Sequence, residues 1–211
     1  MEQPTKQMYD KLGETVVKAL QKRGFEALYC TDAASALQAA LAAVGTDEVV
    51  SWGGARSAEQ IGLIDALKAR NPVIDRKTGK DRAEELELMR RALLCDTFIM
   101  GANGISADGQ LVNLDGNGNR VAALCYGPKK VVVIAGMNKV MPTLEDAIAR
   151  VRGIAAPMNA QRFEGVSPCR KTGQCADCLS RDSICAQLVV TRLCKPLGRI
   201  HVILVGEPLG F

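Results

Sequence analysis

The fold is decided by residues 95–139, which read CDTFIMGANGISADGQLVNLDGNGNRVAALCYGPKKVVVIAGMNK. Apolar runs at residues 96–100 and 131–135 predict two buried strands. Between them, residues 105–114 have the pattern of a tight hairpin around an Asp-Gly turn, and residues 115–120 form a polar glycine loop that opens a short helix. Many Gly, Asn and Asp residues therefore lie between two buried strands.

These short polar residues predict a ligand pocket at the carboxyl end of a parallel sheet, where open α/β folds bind their ligands. Glycine lets a ligand approach the backbone, and Asn or Asp can hold a loop rigid by bonding back to the chain. Arg120 and Lys139 are candidates for holding a substrate carboxylate or phosphate. The other predicted lining residues are Asn103, Gly104, Asp108, Asn113, Asp115, Gly116, Gly118 and Asn119. The alternative is ordinary hairpin chemistry, which we favour for Asp108 taken alone.

A second glycine turn, SWGGARS at residues 51–57, follows another predicted strand and precedes a helix. This arrangement can present free backbone N–H groups to an anion, so Gly53, Gly54 and Ser57 join the predicted ligand-binding set. A plain tight turn explains the same residues equally well. The loop at residues 115–121 lacks the Gly-x-Gly-x-x-Gly pattern, since Val121 stands where the third Gly should be. The chain therefore carries no nicotinamide or flavin signature.

Strand-like and helix-like patterns alternate along the chain, which predicts an α/β fold with a mostly parallel sheet and helices on both faces. The composition shifts at Ser167. We therefore expect an α/β domain over residues 1–165, and a Cys-rich extension over residues 166–211 that contributes two strands packed on the same domain. Aromatic residues make up only 4% of the chain, so Ala, Val, Leu and Ile must fill the core.

Four cysteines with the spacing C-x5-C-x2-C-x6-C are the sharpest chemical signal: Cys169, Cys175, Cys178 and Cys185. Four thiolates can close a tetrahedral shell around zinc or hold an iron–sulfur cluster. The spacing matches neither a standard ferredoxin run nor a zinc ribbon, so reduced thiols, a dithiol pair and disulfides stay open as alternatives. Cys194 is a further candidate ligand. The three remaining cysteines are expected in the core: Cys30, Cys95 and Cys125.

Charge and composition argue against several kinds of partner. The net charge is +4, from 27 basic and 23 acidic residues without blocks of like charge, so neither a nucleic-acid nor a membrane partner is expected. No signal-peptide pattern and no apolar run near the ~20 residues of a membrane helix are present, so we expect a cytoplasmic protein. Assembly into a homo-oligomer stays open. His201, the one histidine, is expected to be structural rather than a general base, and no catalytic residue is assigned.

The motif GANGISADGQLVNLDG at residues 101–116 resembles that of the LUD-domain family, the lactate utilization proteins. Four further motifs extend the resemblance over most of the chain: GNRVAA (118–123), GPKKV (127–131), GMNK (136–139) and AAPMNAQR (155–162). The hairpin and glycine loop are more distantly similar to those of the sugar-phosphate isomerase and CoA-transferase superfold. Asn103 stands where related isomerases place an acidic residue, which weakens an isomerase interpretation.

The resemblance implies a parallel α/β fold and a role in oxidising L-lactate to pyruvate, within a complex that includes iron–sulfur partner subunits. It also favours a four-iron cluster over zinc at the cysteines. A small anionic substrate would bind in the loop pocket. Two alternatives stay open: a stand-alone enzyme acting on a sugar-phosphate or CoA-type substrate, and a non-catalytic metabolite-binding module.

Overall fold

The computed structural model describes residues 1–211. The strands are β1 (Glu26–Cys30), β2 (Val50–Trp52), β3 (Val73–Ile74), β4 (Thr97–Gly101), β5 (Gly104–Ser106), β6 (Leu111–Asp115), β7 (Lys130–Gly136), β8 (Val140–Met141), β9 (Gln187–Thr191) and β10 (Ile200–Val205). The α-helices are α1 (Gln3–Lys22), α2 (Ala33–Ala42), α3 (Arg56–Gln60), α4 (Leu63–Arg70), α5 (Arg82–Arg91), α6 (Asn119–Cys125), α7 (Leu144–Arg150), α8 (Ala156–Ala160) and α9 (Pro168–Thr172). Short 3-10 turns span Arg76–Thr78, Ala92–Leu94 and Met137–Lys139, and a π-helical turn spans Val151–Ala155.

Six strands form one parallel sheet in the order β1-β10-β7-β4-β2-β3, which confirms the predicted α/β class. A smaller mixed sheet has the order β8-β5-β6-β9, in which β5 and β6 form the predicted antiparallel hairpin. The two strands expected after residue 165 are present in different sheets. β9 pairs with β6, whereas β10 lies between β1 and β7 in the main sheet. The domain boundary at residue 165 stays a prediction.

Capping residues determine where two of the helices begin, and a glycine interrupts a third helical segment. Asp32 Oδ1 accepts a hydrogen bond from Ser35 N at 2.8 Å before α2, and Asp81 Oδ1 accepts one from Glu84 N at 2.9 Å before α5. The single helix expected after the Gly-Gly turn is instead two helices, because Gly62, with φ of 79°, lies between α3 and α4. A left-handed residue cannot continue a helix, so the chain changes direction there.

The core forms in layers on both sides of the main sheet. α2, α3 and α4 cover one face, and alanines such as Ala36 and Ala58 let them pack closely. The other face is covered by α1 and the smaller sheet, through side chains such as Leu20 and Ile105. The outer face of the smaller sheet packs against α7 and α8 through residues such as Leu114. The smaller sheet is therefore a layer between the main sheet and α7.

Cys125, expected in the core, is exposed, so that prediction is wrong. It is the last residue of α6 and adjoins Tyr126, which is also exposed, so this end of the helix lies at the surface. None of the helices has both the length and the apolar character that crossing a bilayer requires.

Candidate functional site

Segments that follow three strands bring two cationic side chains and one hydroxyl group together. Arg120 lies in α6 after β6, Lys139 lies in the 3-10 turn after β7, and Ser57 lies in α3 after β2. Arg150, the last residue of α7, joins them. The positive charges of both arginines act on Lys139, so the three cations share one neighbourhood. We call Ser57 and these three cations the cationic cluster.

Lys139 is a buried cation whose hydrogen-bond partner is a hydroxyl group. Only 4% of its surface is exposed, and its Nζ donates to Ser57 Oγ at 3.0 Å. Burial, followed by the positive charges of Arg150 and Arg120, lowers the pKa of Lys139 to about 7. An anion beside this ammonium group would favour its protonated form.

The position of Arg120 depends on polar contacts of its guanidinium group and on the absence of a side chain at Gly53. Its Nη2 donates to Leu114 O at 2.7 Å, and its Nε lies 3.5 Å from Asp115 Oδ2. The same Asp115 oxygen accepts from the backbone N–H groups of Arg120 and Val121, at 2.9 and 3.2 Å, so the carboxylate stabilises the start of α6. A Cβ at Gly53 would lie 2.3 Å from Cγ of Arg120. The Arg120 side chain therefore occupies space that any side chain at residue 53 would fill.

Arg150 is a site residue that the sequence motifs do not reveal. Its Nε donates to Asn138 O at 3.0 Å and its Nη1 donates to Asn103 O at 2.6 Å, while burial lowers its pKa. One signal was available in the sequence. Arg150 follows the buried Ala147 by three residues, on the helical face that packs inward, and a buried arginine requires polar partners.

Residues 206–211, which follow β10, close over the cationic cluster. Ser57 Oγ donates to Leu209 O at 3.3 Å. A Cβ added at Gly210 would lie 2.9 Å from Lys139 Nζ and 2.7 Å from Ser57 Oγ. This segment therefore forms one wall of the site, and a glycine lies where the backbone passes closest to the ammonium group.

Positive charge exceeds negative charge in the cluster. Asp115, which lies beside Arg120, is the one carboxylate within ion-pair distance of any of the three cations. It already accepts two backbone hydrogen bonds. Lys139 and Arg150 donate only to neutral oxygens. Buried charges without counter-charges are unfavourable, so the arrangement suits a small anion that accepts hydrogen bonds from ammonium and guanidinium groups.

Most of the other predicted ligand-binding residues belong to the loops around the cluster. Asn103 Oδ1 accepts from Leu114 N at 3.0 Å, which ties the turn after β4 to β6. A Cβ at Gly104 would lie 3.0 Å from Ala147 O of α7, so this glycine allows the smaller sheet to approach the helix. The remaining members of these loops are Gly54, Gly116, Gly118 and Asn119.

Two residues of the predicted ligand-binding set, Asp108 and Asn113, are not brought to the cationic cluster. Asp108, at the hairpin tip, lies 2.5 Å from Arg23 at the end of α1, and the hydrogen bond from Ser106 followed by the charge of Arg23 lowers its pKa. Its contacts are those of a hairpin turn at the edge where β1 begins. His201, near the start of β10, lies at that edge too. Asn113 is buried inside β6, and neither polar atom of its side chain has a hydrogen-bond partner.

The four cysteines predicted as metal ligands line one cavity of about 250 Å³, which we call the cysteine cavity. All of them are free thiols. Burial raises the pKa of Cys185 to about 11, and the charges of the other three thiols act in the same direction, so the four are close neighbours. No three His, Cys, Asp or Glu side chains in the chain are grouped as the ligands of one metal ion. Cys194, the further candidate ligand, is buried in the core and does not line this cavity.

The chain can be compared with known proteins on this basis. A family model described as the LUD domain matches residues 13–205. No curated protein matches the chain. Among solved structures, the chain is similar to a DUF162 family protein from Deinococcus radiodurans, with 14% identity and a TM-score of 0.55 over 93% of this chain and 98% of that one. This likeness shows the fold.

Two other solved structures overlap only in part. Ribose 5 phosphate isomerase A from Neisseria gonorrhoeae has 20% identity and a TM-score of 0.34, over 53% of this chain and 54% of that one. eIF2B delta from Chaetomium thermophilum has 16% identity and a TM-score of 0.34, over 67% of this chain and 57% of that one. The chain thus spans little more than half the length of either protein.

Proposed function

The chain belongs to the LUD domain family, and from that membership we propose that it is a subunit of a system that oxidises L-lactate to pyruvate. In this proposal the cationic cluster binds the small carboxylate anion. Oxidation of lactate to pyruvate releases two electrons and two protons. In this proposal, partner subunits with iron–sulfur centres accept the electrons.

The observation that carries this proposal is the excess of buried positive charge around Lys139. Lys139 is 4% exposed, its ammonium group is hydrogen-bonded to a hydroxyl, and burial followed by the charges of two arginines lowers its pKa. Such a group is stabilised by an anion more than by any other small ligand, because the attraction between opposite charges is strong where water is excluded.

The cluster also has the donors that a carboxylate requires. A guanidinium group can donate two parallel hydrogen bonds to a carboxylate, and an ammonium group can approach the same anion as a point charge. Arg120 and Lys139 were predicted in these roles from the sequence, and Arg150 adds a third positive charge. In this proposal, the carboxylate of lactate or pyruvate accepts hydrogen bonds from these groups.

Calorimetric titration of the purified chain with L-lactate and with pyruvate tests the binding step. Arg120→Ala should weaken binding by about 1.5–3 kcal/mol, because a charged hydrogen bond is lost. Arg56→Ala is the matched control, since Arg56 is an exposed arginine in the same region that pairs with Glu59. Equal affinity in wild type and Arg120→Ala would remove Arg120 from the site.

Growth of the source cell on L-lactate tests the cellular role. Deletion of the gene should abolish growth on L-lactate as carbon source but not on pyruvate. A copy with Arg56→Ala should restore growth and a copy with Arg120→Ala should not. Turnover of a sugar phosphate or CoA ester by the isolated chain would favour the stand-alone enzyme, and tight binding without any effect on lactate growth would favour the metabolite-binding module.

A further inference from the structure

We infer that the cysteine cavity binds a four-iron iron–sulfur cluster, with Cys169, Cys175, Cys178 and Cys185 each supplying one thiolate to a different iron atom. The cysteine cavity is distinct from the cationic cluster, and its occupancy does not depend on the function proposed there.

Backbone turns direct the thiols toward the same space. Cys169 lies in α9, which ends at Gly173 with φ of 74°. Asp177 has φ of 48°, a left-handed conformation that is uncommon outside glycine, and it turns the chain between Cys175 and Cys178 so that both line the cavity. Strained residues of this kind persist where the surrounding structure needs them, and they concentrate at ligand sites.

The arrangement of the thiols fits a cluster better than a single metal ion. A tetrahedral zinc site with Zn–S bonds of about 2.3 Å would bring the sulfur atoms to about 3.8 Å from one another. No three of the cysteines are grouped as the ligands of one metal ion, yet all four line a cavity of about 250 Å³. In a four-iron cluster each thiolate binds a different corner of a cube, so the sulfur atoms surround a larger volume. Four thiols spread around one cavity match that requirement.

The rest of the cavity wall is mostly apolar. Apolar side chains, among them Leu114, Ile184 and Leu188, line it and limit the access of water. Arg152 and Asp177 line it as well, and because they form an ion pair they add no net charge to the wall. The same pair ties the cysteine segment to the helical turn after α7.

The cavity is open to solvent and adjoins the cationic cluster. Cys175 and Cys185 are exposed, so iron and sulfide can enter the folded chain. Leu114 connects the two sites, because its side chain lines the cysteine cavity and its carbonyl oxygen accepts from Arg120 Nη2 at 2.7 Å.

Anaerobic reconstitution of the full chain with ferrous iron and sulfide tests this inference. The expected product contains about four iron atoms and four acid-labile sulfide ions per chain, and it has a visible charge-transfer absorption that reduction bleaches. Zinc bound without sulfide, or a folded chain that takes up neither iron nor sulfide, overturns it. These readouts do not involve lactate, so failure here and failure of the proposed function are distinguishable.

Two variants and a thiol-protection measurement complete the test. Cys178→Ala should lose most of the iron and sulfide, whereas Cys125→Ala, which removes an exposed thiol at the end of α6, should keep both. In reconstituted wild type, the four cavity thiols should resist alkylation while Cys125 reacts, as read by peptide mass spectrometry. Equal alkylation of all exposed cysteines with and without reconstitution contradicts the cluster, even if the Cys178 variant fails to fold.

Discussion

The side chain of Arg120 crosses the backbone of Gly53 so closely that a Cβ at Gly53 would lie 2.3 Å from Cγ and 2.5 Å from Cδ of Arg120. At Gly54, the next residue, an added Cβ would meet nothing within 4 Å. Two adjacent glycines in one turn therefore have different roles. Only Gly53 determines where the guanidinium group can lie.

Gly53→Ala should displace Arg120 and weaken the binding of a small carboxylate by about 1.5–3 kcal/mol, although it removes no charge. Gly54→Ala is the matched control and should keep wild-type affinity, because its methyl group has free space. Calorimetric titration of both variants measures the difference. Equal affinities in the two variants would mean that the position of Arg120 is not needed for binding.

Lys139→Met should make the protein more stable and abolish anion binding. A buried ammonium group that donates only to a hydroxyl is unfavourable, so a long apolar side chain in its place should raise the free energy of unfolding by about 1–3 kcal/mol at neutral pH. Urea unfolding measures this change. Lys11→Met, at an exposed position on α1, should change stability by less than about 0.5 kcal/mol.

Anion affinity should depend on pH through Lys139. Its pKa in the folded chain, about 7, lies below the ordinary 10.5, and a bound anion favours the protonated form. Above about pH 7 each binding event must therefore take up a proton, so affinity should fall by up to about tenfold per pH unit. Calorimetry in buffers of different ionisation enthalpy reports the proton uptake directly. A flat profile across this range would show that Lys139 does not contact the anion.

The same pKa shift predicts how the stability advantage of Lys139→Met changes with pH. Between about pH 7 and the ordinary lysine pKa of 10.5, the unfolded wild type binds a proton that the folded protein does not, so wild-type stability rises with pH in that window. The difference between wild type and Lys139→Met should therefore shrink as the pH rises. Paired urea titrations at neutral and alkaline pH measure it.

Asn113→Val should also stabilise the protein. Both polar atoms of the Asn113 side chain are buried without partners, as is Oγ1 of Thr191 on the neighbouring strand β9. Replacing the amide by an apolar side chain should add about 1–3 kcal/mol to the free energy of unfolding. Thr191→Val, which removes one unpaired hydroxyl, should give a smaller gain of the same sign. Destabilisation of Asn113→Val would instead indicate that the amide has a partner.

Local patterns in the sequence were sufficient to predict the elements around the site. Apolar runs predicted β4 and β7, because strand burial acts over a few residues. The hydrogen bonds by which Asp32 and Asp81 cap α2 and α5 are equally local. Arg120 and Lys139 were predicted from the polar and glycine-rich turns that follow two strands, but the sequence did not show that β6 belongs to the smaller sheet and β7 to the main sheet.

What the sequence did not reveal depends on contacts between distant segments. Arg150 reaches the site only because α7 packs on the smaller sheet, and Asp108 leaves it because the hairpin carries its tip to the opposite edge. The prediction for Cys125 was wrong because the apolar pattern of α6 does not show that the last residue of the helix lies at the surface. In each case the decisive neighbour is far away in the sequence.

The main sheet cannot be completed during synthesis until β10 has been made, because β10 lies between β1 and β7. β1 has β10 as its one neighbour in the main sheet, and β7 needs β10 on one side, so both keep unpaired backbone groups until the ribosome has released residues 200–205. A nascent chain that stalls before this point would expose two adjacent strand edges, which are templates for association with other chains. Protection by a chaperone is therefore most valuable before residues 200–205 have been synthesised.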